Sequence, residues 1–483
     1  MGFMKQRILK YRFITGICLA LFAMTSCDSW LDVKPKTEVE AEDLFKTQDG
    51  FKEALAGVYT SMNATGLYGR ELTFGMLDAV AQQWNITAED NSHTYYDAVN
   101  YDYESTSIRP RVDTMWSNMY KTIAYANNIL KYVDEKNVFT GDNQQIIKGE
   151  ALAIRAYVHF DLLRLFCKNG ISTSDEDGIP YISEISKLVT KSVSPKQVID
   201  NVIVDLEAAA ECLAKDPILT GREVSTDDDH GYLLNRQYHL NYYAVQGLMA
   251  RVYMYVGNTT EARKKAMLVI KAHDEQEKFP WVKSDDVTAD KEMRDRTFAS
   301  EHLFALNNKK LIDNIKGYFT STDKPLMVRI PTSELFPVSE YRSYAFDDIA
   351  NLPMKLAQYN GKFVAGVGTV YPKRDRMPMI RLSEMYYIMA ECDKAEPTTA
   401  VGWLNTVLAA RGYEASNLLK PSEVNAAKAF QSVSFSISQM MPPTSCRFRP
   451  CAFQSTLSLA RKNLGLGNFI FAITWSLRSF GCA

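Results

Sequence analysis

Four tyrosines crowd one polar stretch of this chain. Tyr95, Tyr96, Tyr101 and Tyr103 stand within ITAEDNSHTYYDAVNYDYEST, among Glu89, Asp90, Asn91, Asp97, Asn100 and Asp102. Flat rings beside amides and carboxylates suit a ligand with apolar faces and many hydroxyls. Sugars are such ligands: their C–H faces stack on aromatics while each hydroxyl needs hydrogen bonds. Trp84 stands just ahead of the stretch, and Trp281 lies on a second loop much later. The candidate ligand-binding residues are therefore Trp84, Tyr95, Tyr96, Asn100, Tyr101 and Trp281. The competing reading is that the rings pin the loop to the body and that Trp281 caps a helical stack.

Other chemistry finds little support. The chain has no GxSxG, HExxH, P-loop or GxGxxG pattern. The six histidines are scattered, with His159 on an apolar helix where a packed role is expected. Asp227-Asp228-Asp229-His230 lacks the alternating oxygen ligands and the glycine of a calcium loop, so a solvated turn is expected. Cys167, Cys212 and Cys392 are spread through the body without zinc-ligand spacing and read as packed thiols. No metal or cofactor is expected. Lys+Arg 55 balance Asp+Glu 57, which gives no basic field for nucleic acid.

Long loops need a rigid frame, and the frame is helical. Ile147, Ala151, Ile154, Val158, Leu162 and Leu165 recur in steps of three and four, and Phe160, Leu163 and Phe166 widen that face. A helix so apolar belongs inside a stack, where Glu150 and Arg155 require partners. Further helices are expected over 51–64, over 116–133 and from Ser194-Pro195, with Ser194 as the cap. Residues 241–256 and 260–272, joined by Gly257-Asn258, form a helical hairpin. Ala250, Tyr253, Gly257, Ala262, Ala266 and Val269 occupy tetratricopeptide-like positions in it. Its stacking partners are expected in 116–166 and 382–411. Residues 275–380 are less regular, with a strand-like SEHLFAL run at 300–306.

The beginning reads as an export leader. Lys5, Arg7, Lys10 and Arg12 precede an apolar run from Phe13 to Met24, shorter than the ~20 residues that span a bilayer. Met24-Thr25-Ser26-Cys27 resembles a lipobox, which makes Cys27 the lipidated residue. After it come DSWLDVKP, then DLFKT, then GFKEALAGVY. Later come WSNMYKTIAYANNIL, GEALAIRAYVHFDLLRLF, SEHLFA and IRLSEMYYIMAE, followed by WLNTVLAAR. These segments, in this order, resemble the SusD/RagB family of outer-membrane lipoproteins, from Cys27 to about Gly412.

The resemblance implies a mainly α fold of tetratricopeptide-like helix pairs with long irregular loops and a few short strands. It implies residues 1–26 as signal peptide, 27–220 as the N-terminal SusD-like region and 221–428 as an incomplete C-terminal region. It also implies a lipid-anchored protein on the outer-membrane surface that binds an oligosaccharide. The expected partner is a SusC-like TonB-dependent transporter that receives the ligand. A peptide ligand, a lipid-anchored glycoside hydrolase and a pure helical scaffold remain alternatives. From residue 424 onward there is no Asp or Glu, and the family's closing motif is missing. Residues 429–483 are therefore expected to be an aberrant tail, the product of a shifted reading frame or disordered.

Overall fold

The computed structural model describes residues 41–421, apart from 168–170, 187, 290–293, 296, 320–324, 330–339, 346–361, 365–367 and 371–374. The leader, Cys27 and the 429–483 tail lie outside the described residues. The longer helices are α1 (Gln48–Met62), α2 (Arg109–Val133), α3 (Asn143–Phe166), α4 (Pro195–Cys212), α5 (Tyr242–Tyr255), α6 (Thr259–Gln276), α7 (Leu311–Phe319), α8 (Leu382–Cys392) and α9 (Pro397–Ala409). Among the described residues six short strands complete them: β1 (Ile179–Pro180), β2 (Ser192–Val193), β3 (His302–Asn307), β4 (Lys362–Val364), β5 (Gly368–Val370) and β6 (Arg376–Arg381). They pair antiparallel as β1–β2, β3–β6 and β4–β5.

The helix boundaries follow capping chemistry. Thr47 caps α1 by accepting from Gly50 N at 3.1 Å, and the buried face is Phe51, Leu55, Val58, Tyr59 and Met62. Ser194 caps α4 from Gln197 N at 3.3 Å, with Pro195 at the first helical position. α2 begins earlier than the expected residue 116, because Pro110 fits its opening turn. Gly257, at φ 75°, turns the chain between α5 and α6, and Asn258 caps α6 by accepting from Glu261 N at 3.2 Å.

Helix α3 is the centre of the stack. Every residue from Gly149 to Leu163 is buried, and α2 and α4 flank it. Gly149 lets α4 approach: a Cβ there would lie 2.8 Å from Leu213 Cγ and 3.0 Å from Ala209 O. The stack continues α5–α6–α8–α9, and a single apolar cluster runs from Phe45 to Leu408 with no break at residue 220.

Both awkward charges on α3 are paired. Glu150 accepts from Tyr59 Oη at 2.7 Å and Arg236 Nη1 at 2.7 Å, with His239 Nδ1 at 2.8 Å. Burial alone would raise its pKa, but Arg236 and His239 hold it at about 2. Arg155 forks onto Asp205 at 2.7 and 2.6 Å and donates to Asn127 Oδ1 and the Ser183 carbonyl. His159 is a packed residue, as expected. Its ring stacks 3.9 Å from Tyr181, Nδ1 donates to Arg155 O, and Nε2 accepts from Ile182 N.

Candidate functional site

The loop at 85–106 is ordered from its first residue. Asn85 N donates to Met327 O at 2.8 Å and Arg329 N to Gln83 O at 3.0 Å, with Trp84 bridged to Val328 between them. Thr87 and Asp90 close a capping box. A one-turn helix at Tyr96–Val99 follows, held by Gln82 Nε2 on Val99 O at 2.8 Å and by Ser107 Oγ on Asp97 Oδ2 at 2.6 Å.

This anchoring divides the rings between core and surface. Trp84 is 2 % exposed, its Nε1 donates to Phe74 O at 2.7 Å, and Phe319 lies 5.9 Å from its ring. Tyr95 is fully buried, 5.9 Å from Tyr318. Neither offers a face to a ligand, because pairing with 327–329 turns both against α7. Tyr103 is buried as well. Tyr96 and Tyr101 remain partly open and Asn100 is exposed, its Nδ2 donating to Tyr96 O at 2.9 Å. Tyr101 adopts φ 60°, a left-handed conformation that strains a bulky side chain.

Trp281 belongs elsewhere. Its ring packs 5.4 Å from His273, 5.2 Å from Tyr386 and 5.4 Å from the Arg411 guanidinium. Beneath it Arg411 forks onto buried Glu301 at 2.6 and 2.5 Å. Trp281 therefore covers an ion pair at the end of the α6–α8 stack, and its neighbours are not those of the 85–106 loop.

Sequence reading missed a cluster beneath that loop. Glu71, 2 % exposed, accepts from Arg70 Nε at 3.0 Å and from Arg111 Nη1 at 2.7 Å, both at Oε1, and from Met76 N at Oε2. The Arg111 guanidinium lies 5.3 Å over the Tyr95 ring, and that of Arg70 lies 5.7 Å over Tyr318. Both arginines are about a quarter exposed, at 25 % and 26 %. One signal was available: α2 opens with Arg109 and Arg111 and no acidic residue, against its own dipole.

A cleft of about 680 Å³ opens between α1 and α2, a volume within the range of ligand pockets. Small Ala54, Gly57 and Ala64 line it together with polar Glu53, Asn118, Lys121 and Asn128. Tyr125, 41 % exposed, is the ring it presents. Regular helical spacing hides such a cleft in the sequence.

The acidic run at 227–230 forms a turn: Asp228 accepts from Ser225 N at 2.7 Å, and Asp229 accepts from Asn143 Nδ2 at 2.7 Å and from Lys52. Among the described residues no His, Cys, Asp or Glu group could hold a metal, and no helix is long and apolar enough to cross a membrane. Cys167 and Cys392 are partly buried, and burial pushes their thiols up to about 12.

The model of the SusD-like family described as "Starch-binding associating with outer membrane" matches residues 29–254. Residues 29–254, a little under half of the chain, are thus SusD-like in sequence. A SusD-like protein of Formosa agariphila is 26 % identical over 206 residues, 41 % of this chain and 36 % of its own length. A second from that organism is 22 % identical over 214 residues, 38 % of its length, so the match spans little more than a third of either relative. Among solved structures, a SusD superfamily protein of Bacteroides thetaiotaomicron superposes with TM-score 0.57 at 20 % identity, covering 89 % of this chain and 88 % of that one. A SusD-like carbohydrate binding protein of Bacteroides vulgatus gives 0.55 at 17 %, covering 82 % of each. The mainly α fold of the SusD superfamily is thus this chain's fold.

Proposed function

We infer that this protein captures glycans at the outer-membrane surface and hands them to a SusC-like TonB-dependent transporter. The observation that carries this reading is the family match over 29–254, a stretch that contains the whole 85–106 loop. Lipid on Cys27 supplies the tether and leaves the helical body free above the membrane. The task is equilibrium binding, with no bond made or broken in the ligand.

The open side of the loop is the capture face. Tyr96 and Tyr101 provide partly exposed rings for the C–H faces of a sugar, and Asn100 provides an exposed amide for its hydroxyls. The left-handed strain at Tyr101 supports the choice, since such strain collects where a side chain must be aimed. A panel of oligosaccharides titrated into the full chain tests the reading. Binding that Tyr101→Ala weakens supports it. Binding lost in Tyr125→Ala instead moves the site to the α1–α2 cleft. Hydrolysis of any sugar in the panel overturns it in favour of a surface glycosidase.

A further inference from the structure

We propose that the cluster of Arg70, Glu71 and Arg111 beneath the 85–106 loop is an anion-binding site that selects glycans carrying carboxylate or sulfate groups. The inference rests on the glycan-capture reading and narrows it to a substrate class.

Charge is the first argument. Two guanidiniums share one carboxylate, so the cluster carries an excess positive charge. Both meet at the same Glu71 oxygen, and this convergence brings two like charges together at a partly open surface. Glu71 itself is buried and also binds Met76 N, so it is a fixed part of the protein.

Unused donors are the second. Arg70 Nε is committed to Glu71, and Arg111 spends Nε on Ser107 O at 3.2 Å and Nη1 on Glu71. Among the described residues Arg70 Nη1, Arg70 Nη2 and Arg111 Nη2 meet no acceptor. An oxyanion with several acceptor lone pairs fits such a set, because guanidinium N–H groups bind planar or tetrahedral oxyanions through paired, charge-assisted hydrogen bonds.

Rigidity is the third. Tyr95 and Tyr318 lie under the two guanidiniums, and Tyr95 is fixed by burial. An arginine held on a ring loses little freedom when it binds. The same Tyr95 that cannot stack on a sugar therefore has a use as a platform. A neutral glycan would satisfy none of these donors with comparable strength.

Calorimetry on the full chain tests this with oligogalacturonate, its methyl ester and a sulfated galactan oligosaccharide. The acid should bind about tenfold or more tightly than its ester, and the acid but not its ester should weaken as salt rises from about 0.05 to about 0.5 M. The sulfated ligand against the uronate tells which oxyanion is preferred. Arg111→Gln and Arg70→Gln should each lower affinity for the acid toward that of the ester. Arg111→Lys, which keeps the charge and loses the fork, should fall between. The ester comparison needs no variant and so stands even if one misfolds. Equal binding of acid and ester overturns the anion site and leaves glycan capture standing. Binding of no glycan overturns both. Arginine-dependent binding of an acidic peptide in place of every sugar overturns the glycan assignment.

Discussion

Arg251 and Glu384 stand 133 positions apart in sequence and form a two-pronged ion pair in the core, Nε to Oε1 at 2.7 Å and Nη2 to Oε2 at 2.8 Å. Arg251 lies on α5 and Glu384 on α8, and the same guanidinium also donates to Met379 O on β6. One side chain thus joins a helical hairpin, the strand pair and the last helices. Removing either partner strands a buried charge. Arg251→Met should cost about 3–5 kcal/mol in chemical denaturation, and adding Glu384→Met should recover a large part of that loss.

Gly149 gives a second stability prediction. Alanine is the better helix former by about 1 kcal/mol, so the substitution would stabilise an open helix. Here its Cβ would press on Leu213 and on the Ala209 carbonyl across the α3–α4 contact. Gly149→Ala should lower stability by about 1–3 kcal/mol, read as a lower denaturant midpoint with unchanged slope.

Acid should loosen the fold in two stages. Burial holds His159 and His302 down at about 3, from an ordinary 6.5, so the native state keeps both neutral. The unfolded chain takes up protons first. The stability they contribute is complete above pH 6.5 and is lost as pH falls toward 3, by at most about 1.4 kcal/mol per pH unit for each histidine. Glu150, held at about 2 from 4.5, adds a loss that starts below pH 4.5. Thermal midpoints measured from pH 8 to pH 4 should fall, and His159→Gln should flatten the upper stage.

Trp281 and Tyr101 should separate stability from binding. Trp281→Ala uncovers the Arg411–Glu301 pair and should cost about 1–3 kcal/mol while glycan affinity stays unchanged. Tyr101→Ala should lose glycan affinity with a smaller drop in melting temperature than Trp281→Ala, because Tyr101 is only partly buried and alanine keeps the Cβ that strains the left-handed position. Paired melting and titration curves on the two variants check both statements.

The frame was legible because its signals are local. The all-round apolar run of α3, the Ser194-Pro195 start of α4 and Gly257 between α5 and α6 each state their structure within a few residues. Glu150 and Arg155 announced a need for partners, but the partners, Arg236 and Asp205, could not be named from 86 and 50 positions away. The loop failed for the same reason. Its ring types were visible, yet which rings turn inward depends on pairing with 327–329 and packing on Tyr318 and Phe319. Trp84 and Tyr95 went to the core on that account. The Arg70–Glu71–Arg111 cluster likewise exists only once α2 is laid beside residues 70–71.

Calorimetric titration of oligosaccharides into the full chain and into Tyr101→Ala tests the central claim most directly. Glycan capture on the 85–106 loop predicts saturable one-site binding to at least one oligosaccharide, weakened about tenfold or more by the substitution, with every sugar recovered intact. Absence of binding across the panel, or equal affinity in the two proteins, would contradict it.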